Sequence, residues 1–144
     1  MTRILKREYP DHPLVGVGAI IIENRRVVLV RRGQQPLKGE WSVPGGMLEL
    51  GETVREAAVR EAQEETGLTV HPEELLGVFD RVIRGEKGRV RYHYVLIDFL
   101  CRRISGDVLA SGDADEARWF TREEAAKLAL AEDTAEVIRR GFER

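Results

Sequence analysis

Three glutamates at short spacing, Glu61, Glu64 and Glu65, are the residues of this sequence best suited to chemistry. On an α-helix they fall within an arc of roughly 100°. This placement costs free energy, because Glu61 and Glu65 repel each other at i,i+4 and the helix macrodipole disfavours anions near the C-terminus. Three carboxylates on one arc suit a hard, oxygen-seeking cation such as Mg²⁺ or Mn²⁺. From the helix alone, an acidic face in solvent is the alternative interpretation.

The residues before this helix add backbone groups of a fitting kind. Gly45 and Gly46 bring backbone without side chains near the helix start, and Glu49, Gly51 and Glu52 follow. Such a loop presents carbonyl groups to a metal and amide groups to a phosphate. An ordinary turn is the alternative, since Pro-Gly-Gly also marks turns.

A helix over Thr53–Thr66 is the element that positions the glutamates. Thr53 with Glu56 has the pattern of a capping box, and Gly67 suits a helix C-cap with positive φ. The glutamates lie at the edge of the apolar side of this helix rather than opposite it. That side is predicted to bury small residues against a sheet, and it consists of Val54, Ala58, Val59 and Ala62.

Runs of β-branched and aromatic residues predict the strands. Leu14–Glu23 and Val27–Arg32 form a predicted hairpin, and a short strand over 41–43 stops at Pro44-Gly45-Gly46. Strands, one helix, further strands and then helices follow in order, which favours a mixed sheet with helices on its faces. The other predicted elements are strands over 68–70, 75–83, 90–101 and 117–120, a helix opening at Thr121, and a last helix over 134–140.

The whole stretch from Gly46 to Leu68 resembles the Nudix box. That pattern is a glycine, five residues, a glutamate, seven residues, and then R-E-U-x-E-E-x-G-U, where U is aliphatic. Gly46, Glu52 and the run from Arg60 to Leu68 fill every specified position, with Ala62 the one soft match. The Trp-Ser-Val-Pro-Gly-Gly approach and the Asp115–Phe120 stretch also resemble the Nudix (MutT-like) family, so that the resemblance covers most of 15–130.

The resemblance implies an α/β fold, an α/β/α sandwich with a mixed central sheet. The length of 144 residues without a dividing linker indicates a single domain over 1–144, in which the polar segment 1–13, with Pro10 and Pro13, is an irregular N-terminal arm. The resemblance also implies hydrolysis of nucleoside diphosphates linked to another moiety, with divalent cations as cofactors. Two or three Mg²⁺ ions are expected, with Mn²⁺ as an alternative.

Individual roles carry over to the matching positions. Glu61 and Glu65 resemble the principal metal ligands, Glu64 a third ligand, directly or through water, and the Gly45 carbonyl is expected to join them. Arg60 and Glu52 resemble a structural ion pair that holds loop and helix together, although Arg60 as a solvated helix residue is the alternative.

The general base has several candidates. Glu116 lies in the 111–116 loop, where the family often has an acidic residue that reaches the metal site. Its neighbours Asp113 and Asp115 are substitutes, and Glu64 is the candidate inside the box. An ordinary acidic turn is the alternative for the loop.

Substrate contacts are predicted at a second group of residues. Arg32 ends a strand at a place that relatives use to contact substrate, and guanidinium suits phosphate. The Gly46 backbone is expected to contact substrate as well. Phe79 is a candidate for stacking on a base, and Arg81 on the same sheet face for reaching a phosphate. Exposed strand arginines are the alternative for Arg32 and Arg81. The other aromatic candidates for stacking are Tyr92, Tyr94 and Trp119, and core packing is the alternative for these three and for Phe79.

The opening Tyr9-Pro10 segment and the Arg91–Tyr94 strand resemble small family members assigned as ADP-ribose pyrophosphatases. ADP-ribose, cleaved to AMP and ribose 5-phosphate, is therefore the leading substrate. A sanitiser of oxidised dNTPs, a dinucleoside polyphosphate hydrolase and a nucleotide-sugar hydrolase stay open. A ligand sensor without catalysis is disfavoured, because the carboxylates of the box are all present.

Composition excludes several other classes of protein. Basic and acidic residues number 23 and 25, which leaves no electrostatic footprint for nucleic acid or an anionic membrane. The apolar run over 14–22 is too short to span a membrane. The single cysteine, Cys101, excludes an internal disulfide. We expect a cytoplasmic enzyme whose partner is a small nucleotide, and a homodimer is consistent with the relatives.

Overall fold

The computed structural model describes residues 6–35, 37–110, 112 and 114–144. Within this part of the chain, seven strands and three helices follow one another. The strands are β1 Leu14–Glu23, β2 Arg26–Arg32, β3 Trp41–Ser42, β4 Gly45–Met47, β5 Thr69–Arg84, β6 Val90–Ser105 and β7 Ala114–Thr121. The helices are α1 Val54–Thr66, α2 Arg122–Ala126 and α3 Glu132–Phe142, and a 3₁₀ turn at Glu86–Gly88 joins β5 to β6.

The strands form one mixed sheet in the order β3-β2-β1-β6-β5, with β4 also paired to β1 and β7 to β2. β1 and β6 run parallel, whereas the other pairs are antiparallel. Helix α1 covers one face of the sheet, and α2 and α3 cover the other. The predicted α/β class and the mixed central sheet with flanking helices are confirmed.

Alternation along β1 supplies both halves of the core. Val17, Ala19 and Ile21 pack against α1, whereas Ile20 packs in the cluster under α3. The small side of α1 lets the helix lie close to the sheet. This side consists of Ala57, Ala58 and Ala62 with Val54 at its margin, so the prediction of Val59 in place of Ala57 was wrong. The helix is rotated slightly towards its glutamates, two of which become buried.

The hairpin of β1 and β2 splays apart beyond its turn. Asn24 and Arg25 both adopt positive φ, as a two-residue hairpin turn requires. The two strands pair only next to this turn, at Ile22 with Val27 and at Glu23 with Arg26. Beyond that point β4 lies beside β1. The edge of α1 that carries the glutamates therefore lies against the middle of the sheet.

Two predicted boundaries differ from the structure. Gly45 and Gly46 were expected only to end a strand, but they form β4 and pair with Gly18 and Val17. This pairing depends on contacts across the chain that local sequence does not display. The segments over 68–70 and 75–83 are joined in one strand, β5. Register irregularities at Pro72–Glu74 and Leu75–Gly77 keep the polar residues between the two segments within the strand.

The N-terminal arm has no helix or strand over residues 6–13. It is attached to the start of β6, because the Tyr9 amide donates to the Arg91 carbonyl at 2.7 Å and Arg91 pairs with Glu8 at 2.7 Å. Among the described residues, no helix is long and apolar enough to cross a membrane.

Candidate active site

The caps of α1 fix the position of its glutamates. The Thr53 hydroxyl accepts from the Glu56 amide at 3.1 Å, and the Glu56 carboxylate accepts from the Thr53 amide at 3.0 Å, which is the predicted capping box. Gly67 ends the helix with φ 76°, as predicted. With both ends set, Glu61, Glu64 and Glu65 occupy the last two turns.

Glu61 and Glu65 are directed at strand β4 and are buried, with 9% and 8% exposure. The Gly45 amide donates to Oε1 of Glu65 at 2.8 Å. A Cβ atom at Gly46 would overlap the Glu61 carboxylate, so this position has room only for glycine. The third carboxylate, Glu64, is more open, with 54% of its side chain exposed.

Arg60 connects the loop to this cluster. Its Nε and Nη2 donate to the two oxygens of Glu52 at 2.6 and 3.0 Å, and Nη2 also donates to the Met47 carbonyl at 2.9 Å. Its Nη1 donates to Glu61 at 2.7 Å and to Glu64 at 3.2 Å. The hydrogen bonds that Arg60 donates to Glu52 contribute most to a raised pKa of Arg60, and they lower the pKa of Glu52 in return. Arg60 therefore stays charged and orders the anions around it.

The donor set of this cluster fits a hard divalent cation. Two buried carboxylates stand beside a third, and all their ligand atoms are oxygens. Among the described residues, no three His, Cys, Asp or Glu side chains are already gathered as a preformed cage. Instead, Arg60 bridges Glu61 and Glu64, and the Gly45 amide contacts Glu65. Ligation by the Gly45 carbonyl stays a prediction.

An open cavity lies beside the buried carboxylates. It has about 990 Å³ of empty space, part of it open to solvent, which is enough for a nucleotide-sized ligand. Glu61 and Glu65 line one side together with Gly45 and Gly46. Charged and polar side chains from the N-terminal arm, β2, β5, β6 and α3 also line it, among them Arg7, Arg32, Arg81, Tyr94, Asp98 and Asp133.

Arg32 faces the acidic side of this cavity. Burial lowers the pKa of its guanidinium, and the nearby Glu65 carboxylate partly offsets that effect. Arg81 lines the cavity too, but α3 already binds it. Its Nε and Nη2 donate to the Asp133 carboxylate at 3.0 and 2.5 Å, and Nη2 donates to the Thr134 hydroxyl at 3.3 Å. Arg81 is thus a fixed cation in the wall.

Phe79 is not brought to the cavity. It shares the α3 face with Arg81, as alternation predicted, but it lies nearer the C-terminal end of α3. There the Arg140 guanidinium covers its ring at 5.1 Å. Phe79 and Arg81 lie at different positions along α3, and the alternation of side chains along a strand does not predict that position. The structure therefore does not support Phe79 as a stacking residue for a base.

Glu116 also lies apart from the cavity lining. Its carboxylate pairs with Arg31 across strands β2 and β7 at 3.5 Å, and with Arg118 at 3.5 Å. Its neighbour Asp113 lies outside the described residues. Of the other aromatic candidates, Tyr94 lines the cavity, whereas Trp119 packs against the α1 core.

Sequence reasoning missed three charged residues of the lining, Asp98, Asp133 and Arg7. Asp98 carried a visible signal, since it is a charged residue inside the apolar run of β6. Asp133 and Arg7 carried none, because their positions depend on α3 packing against β5 and on the arm docking to β6. The pKa of Asp98 is raised to about 7, chiefly by burial and also by the nearby Asp133 carboxylate, while Arg81 opposes the shift.

Known proteins resemble this chain over most of its length. The profile of the NUDIX domain matches residues 12–141. An ADP-ribose pyrophosphatase of Methanocaldococcus jannaschii is 42% identical over 119 residues, which are 83% of this chain and 68% of that protein. The 8-oxo-dGDP phosphatase NUDT18 of Homo sapiens is 34% identical over 112 residues, which are 75% of this chain but 32% of that protein.

Solved structures agree with the fold. A MutT NUDIX hydrolase from Burkholderia pseudomallei superimposes with a TM-score of 0.75 at 29% identity, and the match covers 90% of this chain and 98% of that one. A NUDIX hydrolase from Nitrosomonas europaea gives a TM-score of 0.73 at 26% identity over 90% of this chain and 88% of that one.

Proposed function

Because this chain belongs to the Nudix family of pyrophosphohydrolases, we propose that it hydrolyses ADP-ribose to AMP and ribose 5-phosphate. The observation that carries the proposal is the opposition of charges across one cavity. Buried carboxylates of α1 form one side, and Arg32 and Arg81 stand among the lining residues. A diphosphate needs cations around its oxygens, and an anhydride flanked by two nucleoside or sugar groups needs a cavity of this length.

Mg²⁺ is the proposed cofactor, with Mn²⁺ as an alternative and two or three ions in total. Glu61, Glu64 and Glu65, with the Gly45 carbonyl, would hold these ions. When bound, they neutralise phosphate charge and acidify a water molecule. Gly46 supports this arrangement by leaving the Glu61 carboxylate room beside the backbone.

The protein itself contributes orientation and proton transfer. Arg60 and Glu52 hold the loop against α1, so the backbone of β4 keeps its place beside the carboxylates. We favour Glu64 as the general base over Glu116. Glu64 belongs to the α1 cluster and is open to solvent, whereas Glu116 pairs with Arg31 and Arg118 outside the cavity lining. Arg32 is proposed to contact a phosphate.

A second substrate class has its own support. NUDT18, an 8-oxo-dGDP phosphatase, is 34% identical to this chain, although the chain spans only 32% of its length. The identity to the ADP-ribose pyrophosphatase is higher and spans 68% of that protein. We therefore place ADP-ribose first and an oxidised deoxynucleotide second. A sensor without catalysis is disfavoured by the complete carboxylate set.

The test is hydrolysis of a substrate panel with Mg²⁺, with products identified by chromatography. The panel contains ADP-ribose, ADP-glucose, a diadenosine polyphosphate, 8-oxo-dGDP, 8-oxo-dGTP and unmodified dNTPs. Glu64→Gln and Glu65→Gln are each compared with Glu73→Gln, which changes an exposed glutamate on β5.

We expect ADP-ribose to turn over fastest, to yield AMP and ribose 5-phosphate, and both α1 variants to lose at least about 100-fold in kcat, as expected when a metal-held reaction loses a carboxylate. Glu73→Gln should match the unsubstituted protein. A faster reaction with 8-oxo-dGDP would replace the substrate but keep the reaction. Full activity in both α1 variants would reject the proposed chemistry.

A further inference from the structure

Asp98 is a buried acid that core stability does not explain. It lies in the middle of β6 on the face covered by α3, and it is 6% exposed. Leu96 and Leu100, two residues away on either side, point to the same face and pack in apolar clusters. An aliphatic side chain would be buried here at far lower cost than an ionisable one. A buried acid with a perturbed pKa in a cleft is a candidate for function.

The Asp98 carboxyl is open towards the cavity and is not engaged elsewhere. Among the described residues, no hydrogen bond or ion pair involves its oxygens. Arg81, the cation that acts on it, is itself bound to the Asp133 carboxylate through two hydrogen bonds. Asp98 also lines the cavity. The carboxyl oxygens can therefore accept a hydrogen bond from a ligand in the cavity.

A row of glycines connects Asp98 to the acidic edge of the site. Asp98 pairs with Gly18 of β1, and its carboxyl lies where a Cβ of Gly18 would be. Gly18 pairs in turn with Gly45 of β4, whose amide contacts Glu65. Asp98 and Glu65 therefore stand at the two ends of a floor formed by the backbone of Gly18 and Gly45, which carry no side chains of their own. All four residues line the same cavity, so a ligand that lies over this floor has Glu65 at one end and Asp98 at the other.

We propose that Asp98 is a specificity-determining residue that accepts a hydrogen bond from a hydroxyl or amino group of the nucleoside diphosphate derivative. The inference rests on the proposed function, because it places the diphosphate at the Glu61 and Glu65 edge. Sugar hydroxyls and base amino groups are the donors that such a substrate carries. A carboxyl group retains an accepting oxygen in either protonation state, so the contact is available on both sides of neutrality.

The test pairs deletion of the acceptor with deletion of each donor. Dissociation constants are measured by calorimetry with Mg²⁺ in a Glu64→Gln background, which slows turnover, for Asp98, Asp98→Ala and Asp98→Asn. The ligands are ADP-ribose, its counterpart with unsubstituted purine, which lacks the amino group, its counterpart without the adenosine 2′-hydroxyl, and ADP without the distal sugar. Asp80→Ala, an exposed aspartate on β5, is the matched control, and thermal unfolding checks that each variant is folded.

We expect Asp98→Ala to raise the dissociation constant of ADP-ribose about 10- to 100-fold, the usual effect of losing a hydrogen bond to a charged or buried group. One of the three altered ligands should bind the Asp98 protein that much more weakly and should show no further loss in Asp98→Ala. That ligand identifies the donor. Asp98→Asn, which keeps an accepting oxygen, should recover part of the affinity, and Asp80→Ala should change nothing.

The inference would be overturned if Asp98→Ala weakened the binding of all four ligands equally, or if it weakened the binding of none. If ADP-ribose is hydrolysed and Asp98→Ala binds it as well as the Asp98 protein does, this inference alone is wrong and the proposed function stands. If the unsubstituted chain neither hydrolyses nor binds any of the four ligands, the proposed function fails as well.

Discussion

Arg60 grips Glu52 from the side, with Nε and Nη2 donating to separate carboxylate oxygens at 2.6 and 3.0 Å. The same guanidinium donates through Nη1 to Glu61 at 2.7 Å. One side chain therefore links the loop before α1 to a buried carboxylate on α1. This requires the planar guanidinium of arginine, whose separate nitrogens donate to Glu52 and to Glu61 at the same time. A lysine has a single nitrogen and cannot form both sets of hydrogen bonds in this geometry.

Arg60→Lys is predicted to damage both activity and stability. Lysine keeps the charge but cannot keep the hydrogen bonds to both Glu52 and Glu61, and their loss costs about 1–3 kcal/mol in unfolding free energy. Loss of the ordered loop should lower kcat/KM about 10-fold or more. Urea unfolding and steady-state kinetics check this. Arg139→Lys, in an exposed ion-pair cluster of α3, is the control and should leave the urea midpoint unchanged. Equal effects in the two variants would contradict the prediction.

Gly46→Ala is predicted to disable the site while largely preserving the fold. The new Cβ would overlap the Glu61 carboxylate and force it out of position. Because the carboxylate moves, kcat should fall about 10-fold or more, as expected for a misplaced catalytic group. Gly88→Ala is the contrast, since it has open space but a φ of 72° in the β5–β6 turn. It should cost about 1 kcal/mol in stability and leave kcat unchanged. Full activity of Gly46→Ala would argue against a fixed Glu61.

Asp98 predicts a pH-dependent stability. Burial raises its pKa from 3.8 to about 7, with Asp133 adding to the effect and Arg81 opposing it. The folded protein holds this proton more tightly than the unfolded chain, so the stabilising contribution is complete below about pH 4 and is lost as the pH rises through the folded pKa.

Asp98→Asn should remove this loss, so that its stability relative to Asp98 improves from pH 5 to pH 8 by on the order of 1–3 kcal/mol. Urea unfolding at several pH values in this range measures the difference. Asp80→Asn, at an exposed position, should follow the unsubstituted protein throughout. Parallel curves for Asp98 and Asp98→Asn would show that the burial does not shift the titration.

Arg7 is predicted to assist substrate binding from the N-terminal arm. The arm is fixed by the Glu8–Arg91 pair and by the Tyr9 amide, which places Arg7 in the cavity lining near Arg32 and Tyr94. Arg7→Ala should raise KM several-fold with little change in kcat, because an exposed arginine attracts the ground state and the transition state alike. Lys6→Ala is the neighbouring control. A fall in kcat at unchanged KM would place Arg7 in the reaction rather than in binding.

Helix α1 was predictable because the sequence features that define it are local. The capping box of Thr53 and Glu56, the C-cap at Gly67 and the spacing of the three glutamates all lie within one helical segment. Predictions that depended on alternation succeeded for the sheet face but not for the position along it. Phe79 and Arg81 share a face, yet only Arg81 reaches the cavity.

By itself, the sequence determined the family pattern, the helix and the residue types that suit a divalent cation, since these depend on spacing within a few turns of chain. Only the tertiary structure decided which side chains share the cavity. Arg81 and Asp133 are 52 positions apart and meet because α3 packs on β5. Asp98 meets the floor of Gly18 and Gly45 because β6, β1 and β4 lie side by side. Such contacts arise from packing between distant segments, and local propensity carries no record of them.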